Sequence, residues 1–264
     1  MTLTVTTEER RRLALAATGA ELRADDAGAV RFVGLASPFN SRAAIGNPRT
    51  WGFYEEFAPG AYTKTLSEGD QRMLIDHDSY FVVSRVSAGT LKLAQSARGL
   101  EVDSALDDEL SYVRDLKANL RNGNITGMSI GFYVVKDQWT MIEVEEEGDD
   151  GKVRVFDAEL RTVLEVRLIE ASAVTFPAFT DTEAELKSVA SALALRADVG
   201  AVERRAVHRP ELRDVLQVIA REPGESTRAD ETTEPGETTR RHVEEIDLAM
   251  RGLSARYGLK LPTA

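Results

Sequence analysis

Up to about residue 180 the chain alternates short β-prone runs with Gly, Asn, Asp and Pro, and beyond that point the pattern turns helical and polar. That switch limits the fold more than any other feature, because a period of two and a period of 3.6 cannot serve the same packing. Strand character falls on Ala29 to Ala36, Arg72 to Asp76, Leu91 to Ala94, Leu100 to Ala105 and Ile125 to Lys136. It continues in Trp139 to Glu145, Val153 to Phe156 and Val163 to Phe176. These runs fit an α+β protein dominated by a β-rich barrel or sandwich with few helices. Asp107 to Leu120 predicts one amphipathic helix, with Leu110, Val113, Leu116 and Leu120 at helical spacing and Asn122-Gly123 as its stop. Phe57 to Tyr62 reads as a turn leading into a shorter helix over Thr63 to Ser67. The acidic stretch Glu145 to Gly151 suits the solvated tip of a long hairpin; it lacks the ligand spacing and closing Glu of a calcium loop.

After Pro177, helical segments are expected over Thr182 to Leu195, Pro210 to Ala220 and Thr239 to Tyr257. Arg221 to Arg240, with Glu-Pro-Gly-Glu twice, has the composition of a disordered linker. The expected organisation is an N-terminal arm over 1–27, a β-rich domain over 28–184 and a helical tail over 185–264.

Composition removes several function classes. There is no cysteine, so thiol nucleophiles, thiolate metal sites and disulfides are excluded. A net charge of −11 opposes a phosphate backbone, so nucleic acid is not an expected partner. No apolar run approaches a membrane span, and Leu13 to Ala17 is too short and Arg-led for a signal peptide, so a soluble cytoplasmic protein is expected. No cofactor and no metal are called for.

Gly127 to Gly131 matches G-x-S-x-G, a pattern that a chain with 19 glycines can hold by chance. An α/β-hydrolase elbow would place Ser129 between strand and helix, with its histidine later in the chain. Phe132 to Val135 instead continue as strand. On a strand, Met128, Ile130 and Phe132 share one face and Gly127, Ser129 and Gly131 the other, leaving the Ser129 hydroxyl cleared for a close-approaching peptide. A glycine-flanked serine at a strand bend is the structural alternative.

A serine nucleophile needs a base, for which neutral imidazole is the usual choice. Of three histidines, His208 and His242 lie in the polar tail, whereas His77 follows Met73 to Asp76, on the strand face of Met73 and Ile75. The alternative for His77 is a hydrogen-bonded strand-end histidine. Glu170 falls within the apolar face of Leu164, Val166, Leu168 and Val174. A carboxylate there needs a partner, either an arginine or the imidazole of His77.

Taken together, Gly34 to Asn40, Phe57 to Tyr62, His77-Asp78, Thr126 to Phe132 and Glu170 to Ala178 resemble the prohead maturation proteases of tailed bacteriophages, which are similar in fold to the herpesvirus assemblins. The resemblance covers Phe32 to Ala184. It implies a barrel of herpesvirus-protease type, His77 and Ser129 as the catalytic pair, and Glu170 as third member. It also implies capsid and scaffold proteins as substrates inside the immature particle in the host cytoplasm, with self-cleavage, for which Arg221 to Arg240 is a candidate zone, and possible self-association. Val83-Ser84-Arg85, Ala171, Ala173 and the acidic hairpin depart from the family pattern. The competing classes are a non-enzymatic scaffold or capsid-assembly protein of the same fold, and an esterase of α/β-hydrolase type.

Overall fold

The computed structural model describes residues 8–24, 28–148, 150–176, 182–196 and 198–213. In chain order the elements are β1 (Glu9–Ala14), α1 (Leu15–Thr18), β2 (Glu21–Ala24), β3 (Val30–Pro38), β4 (Ala43–Ile45), β5 (Phe53–Phe57) and α2 (Thr63–Glu68). Next come β6 (Arg72–Ile75), β7 (Asp78–Arg85), β8 (Leu91–Gln95), β9 (Gly99–Ala105) and α3 (Ser111–Arg121). The series closes with β10 (Gly127–Glu147), β11 (Val153–Val174), α4 (Thr182–Arg196) and α5 (Val199–Ala206). Most of the tail helix expected over Pro210 to Ala220, the whole of that over Thr239 to Tyr257, and the linker lie outside the described residues.

The fold is mixed α+β and rich in strand. A seven-stranded sheet runs β1-β10-β11-β5-β4, with the β6–β7 hairpin also paired to β11, and a four-stranded sheet runs β2-β3-β9-β8. Among the described residues the strands form two open sheets and not one closed ladder; an isolated parallel bridge between Phe39 and Phe57 joins them at a corner. Between the sheets lies one core built from Phe32, Leu100, Val102, Met128, Ile130, Phe132 and Leu168, closed by Val113 and Leu116 of α3. Burying each such side chain contributes roughly 1.5–3 kcal/mol.

Four expected strand segments merge into the two arms of a single hairpin, β10 and β11. The chain absorbs local irregularities as register shifts near Gly131/Phe132, Val134/Lys136 and Lys136/Asp137 instead of breaking. The acidic stretch is the hairpin tip, where Gly148 N–H donates to the Lys152 carbonyl (2.9 Å). Helix α3 starts later than its periodicity predicts, because Asp107 Oδ1 accepts from Glu109 N–H (2.9 Å) and holds that segment in a turn. It ends as expected at Asn122, with Gly123 at φ 70°.

Along one edge of β11, β5 pairs with Leu160–Val163 and β6 with Glu170–Ala173. The turn before α2 and α2 itself fill the gap: Val166 N–H donates to the Ala61 carbonyl (3.1 Å) and Leu168 N–H to Thr65 Oγ1 (2.9 Å). Tyr62 anchors that turn. It is fully buried, stacks on Phe39 and Phe57, and donates to Ser37 Oγ at 2.8 Å. Burial raises its phenol above the usual range.

Residues 9–14, expected within an arm, form the strand beside β10. Helices α4 and α5 pack Leu186, Val189, Leu193 and Ala201 against Ile45, Trp51 and Phe53, and Arg196 and Arg205 both bind Glu159.

Candidate active site

Facing residues of an antiparallel pair project to the same side of a sheet, so register fixes the faces of the β10–β11 hairpin. Ser129 faces Ser172, and Gly131 faces Glu170. The next pair is Phe132 with Leu168, so Ile169 is an extra residue on β11. This bulge corrects the face assigned from sequence. Leu168 and Val166 point to the core with Phe132 and Val134, whereas beyond Ile169 the core positions pass to Ala171 and Ala173, opposite Ile130 and Met128. Glu170 and Ser172 therefore share the opposite face with Ser129. A strict period of two cannot reveal a bulge, and it placed Glu170 on the face of Leu168.

His77 also departs from simple alternation. Strand β6 stops at Ile75, and Asp76 (φ 48°) and His77 (φ 62°) are consecutive left-handed residues in the turn to β7. Such residues cost roughly 1–2 kcal/mol each, so the turn needs outside support. It comes from β11. Asp76 N–H donates to the Ala173 carbonyl (2.9 Å), and the Asp76 carboxylate accepts from Thr175 N–H and Thr175 Oγ1, each at 2.8 Å. His77 N–H donates to Ser172 Oγ at 3.2 Å.

The turn aims the imidazole at Glu170. His77 Nδ1 lies 2.6 Å from Glu170 Oε1, and the side chains are 2% and 6% exposed. Against a carboxylate that accepts, Nδ1 is the donor, and in the neutral imidazole so arranged the lone pair sits on Nε2. Ser172 Oγ donates to Glu170 Oε2 at 2.5 Å. His77 Nε2 and Ser129 Oγ are both buried without a hydrogen-bond partner among the described residues. Buried polar atoms are seldom left so. The structure thus brings His77 and Glu170 together and sets Ser129 on the same sheet face, opposite Ser172, without a bond to the imidazole.

Gly131 has a different use from the one read in the sequence. A Cβ there would overlap Glu170 Oε1 and meet Glu8 Oε1 at 3.2 Å, so the missing side chain makes room for the carboxylate. Ser129 is itself 0% exposed. Sequence reasoning passed over Ser172 and Asp76. Ser172 was within reach, since a residue two places from Glu170 on a strand shares its face. The support from Asp76 was hidden, because it depends on a pairing across about a hundred residues. Ser129 lies within an unbroken strand and His208 is exposed beyond α5, so neither has the setting of an α/β-hydrolase elbow. The departure at Ser84 is a cross-sheet contact, with Ser84 Oγ 2.7 Å from Ser104 Oγ. Among the described residues no cluster of acidic and histidine side chains could hold a metal ion, and no helix is long and apolar enough to cross a membrane.

This chain is similar to known proteins of one kind. The prohead protease of Enterobacteria phage HK97 is 32% identical over 114 residues, 42% of this chain; the match spans 45% of that relative, under half its length. The solved bacteriophage T4 capsid assembly protease aligns over 61% of this chain and 98% of its own, at 12% identity and a TM-score of 0.30. The family model described as caudovirus prohead serine protease matches residues 18–194, and on that match the chain belongs to the caudovirus prohead serine protease family.

Proposed function

We propose that the chain is a serine endopeptidase that cuts capsid and scaffold proteins, and itself, during head assembly inside the immature particle. Ser129 is the nucleophile, His77 the general base and Glu170 the group that orients it. One observation carries this reading: the buried imidazole is held through Nδ1 by Glu170 at 2.6 Å, Glu170 shares its sheet face with Ser129, and among the described residues neither Nε2 nor the Ser129 hydroxyl has a hydrogen-bond partner. Family membership and the similarity to a named prohead protease support it.

In the acylation step Nε2 takes the Ser129 proton as Oγ attacks the scissile carbonyl. The imidazolium formed is stabilised by the Glu170 carboxylate and then protonates the leaving amine. Water hydrolyses the acyl-enzyme by the same exchange in reverse. The open Ser129–His77 contact is compatible with catalysis, since such bonds are commonly long before substrate binds and tighten in the complex. In the same reading, residues 28–184 are the catalytic unit, and the two sheets around one core are its counterpart of the herpesvirus-type barrel. The bridge between Phe39 and Phe57 supports that view.

The test is co-expression with the capsid protein, followed by intact-mass measurement of both chains. The unsubstituted chain should yield shortened products, and Ser129→Ala should abolish them while assembly proceeds. Unchanged cleavage by Ser129→Ala would overturn the assignment. Assembly without any cleavage by either chain would favour a scaffold role.

A further inference from the structure

From the ring of bonds around His77 we infer that Ser172 is a positioning residue for the reaction, resting on the serine-peptidase reading above. Its hydroxyl accepts from the His77 backbone N–H at 3.2 Å and donates to Glu170 Oε2 at 2.5 Å, while Glu170 Oε1 meets His77 Nδ1 at 2.6 Å. The ring closes. One side chain therefore fixes both the backbone of the base and the carboxylate that orients the base's ring. Rotation of the Glu170 carboxylate would break the bond to Ser172, and a shift of the turn would break the bond to His77.

Ser172 is fully buried and directly faces Ser129, so the hairpin presents two serines side by side. Their hydrogen bonds tell them apart. A hydroxyl has one proton to give, and that of Ser172 is engaged by Glu170, whereas Ser129 Oγ has no partner among the described residues. Ser172 thus holds the base and Ser129 is left to react. The neighbouring clamp of Asp76 on Thr175 fixes the turn, but it touches neither the imidazole nor Glu170, so it cannot replace Ser172 in setting the carboxylate.

The experiment uses the full chain, a fluorophosphonate probe of nucleophilic serines, and proton NMR of the low-field resonance from the His77 Nδ1–H bond to Glu170. With three histidines in the chain, that resonance is assigned by its loss in His77→Ala. Ser172→Ala should label Ser129 about 10- to 100-fold more slowly, as expected for a misplaced catalytic group. It should also lose or broaden the low-field resonance while melting cooperatively. Ser172→Cys keeps the shape with a weaker donor, should fall between the two, and carries the test if Ser172→Ala does not fold. Labelling at the unsubstituted rate, or a resonance unchanged in both variants, would overturn the inference, as would probe attached to Ser172. A failure of the peptidase reading looks different: no labelling of the unsubstituted chain. In that case the resonance alone decides whether Ser172 holds the imidazole, its loss in Ser172→Ala supporting that hold and its retention overturning it.

Discussion

The hairpin of β10 and β11 carries a buried polar cluster on each face, and the two differ in how far their hydrogen bonds are used up. On the core side Arg161, 0% exposed, binds Glu9 at 3.0 Å, Glu55 at 3.1 Å and Asp137 at 2.7 Å. Arg11 adds bonds to the same two glutamates at 2.5 Å each and to Ser188 of α4 at 3.2 Å. These contacts join β1, β5, the hairpin and α4. Of these two guanidinium and three carboxylate groups, only Arg161 Nη2 is buried without a partner among the described residues. On the other face the ring of His77, Glu170 and Ser172 leaves Nε2 without a partner among the described residues, and the Ser129 hydroxyl on the same face is likewise without one. A satisfied buried network gives rigidity and register, whereas unpaired groups held in place beside it are available for chemistry. The core-side network stabilises the strands on which the opposite face is aligned.

Substitutions on the two faces should therefore fail differently. Among substitutions that keep both nucleophile and base, the largest effect is expected for Glu170→Gln, which disturbs the tautomer and orientation of His77. Turnover of a capsid-derived substrate should fall about 10⁴-fold, with the unfolding midpoint in denaturant little changed. A fully active variant would place the orienting group elsewhere. On the core face Arg161→Met should do the reverse. Leaving three carboxylates with one guanidinium should cost about 3–5 kcal/mol in denaturant unfolding, while labelling of Ser129 per folded molecule stays near that of the unsubstituted chain. Unaltered stability would break the contrast between the faces.

Gly131→Ala tests the site without removing a functional group. Its Cβ would displace the Glu170 carboxylate, and a loss of about 10- to 100-fold in rate is expected. Stability should change by about 1–3 kcal/mol. The smallest effect is in pH dependence near neutrality. Burial raises the Glu55 carboxyl, but Arg11 and Arg161 outweigh it and hold the group below the usual carboxylate range. Glu159 is likewise raised by burial and lowered further by Arg196 and Arg205. A carboxyl depressed in the folded state contributes stability that is fully present above its unfolded pKa, about 4.3. It is lost as pH falls through the lower folded value. Melting temperature should thus be flat from pH 7 towards 5 and fall below it, and Arg161→Met should reduce that acid dependence. Equal slopes in the two chains would show that Glu55 does not carry it.

Sequence patterns reveal the parts of this molecule governed by local spacing. Val113 and Leu116 place α3, and alternation places Met128, Ile130 and Phe132 on the core and Ser129 opposite them. Ser129, His77 and Glu170 were nameable because each residue type stands out from its surroundings. The charged strand β1 was not legible, because Glu9 and Arg11 look like solvent residues until Arg161 and Glu55, distant in sequence, meet them. The face of Glu170 was misread because a single extra residue, Ile169, reverses the parity of everything after it. The left-handed turn at Asp76 and His77 holds no glycine to announce it, and it persists through bonds to Ser172, Ala173 and Thr175.

The most direct test of catalysis by the Ser129 face is to treat the full chain with a fluorophosphonate and map the modified peptide by mass spectrometry, with His77→Ala beside it. The expected result is a single adduct on Ser129 in the unsubstituted chain, formed at least about a thousandfold more slowly when the base is removed. An adduct on another residue, or one on Ser129 that forms equally fast without His77, would contradict it.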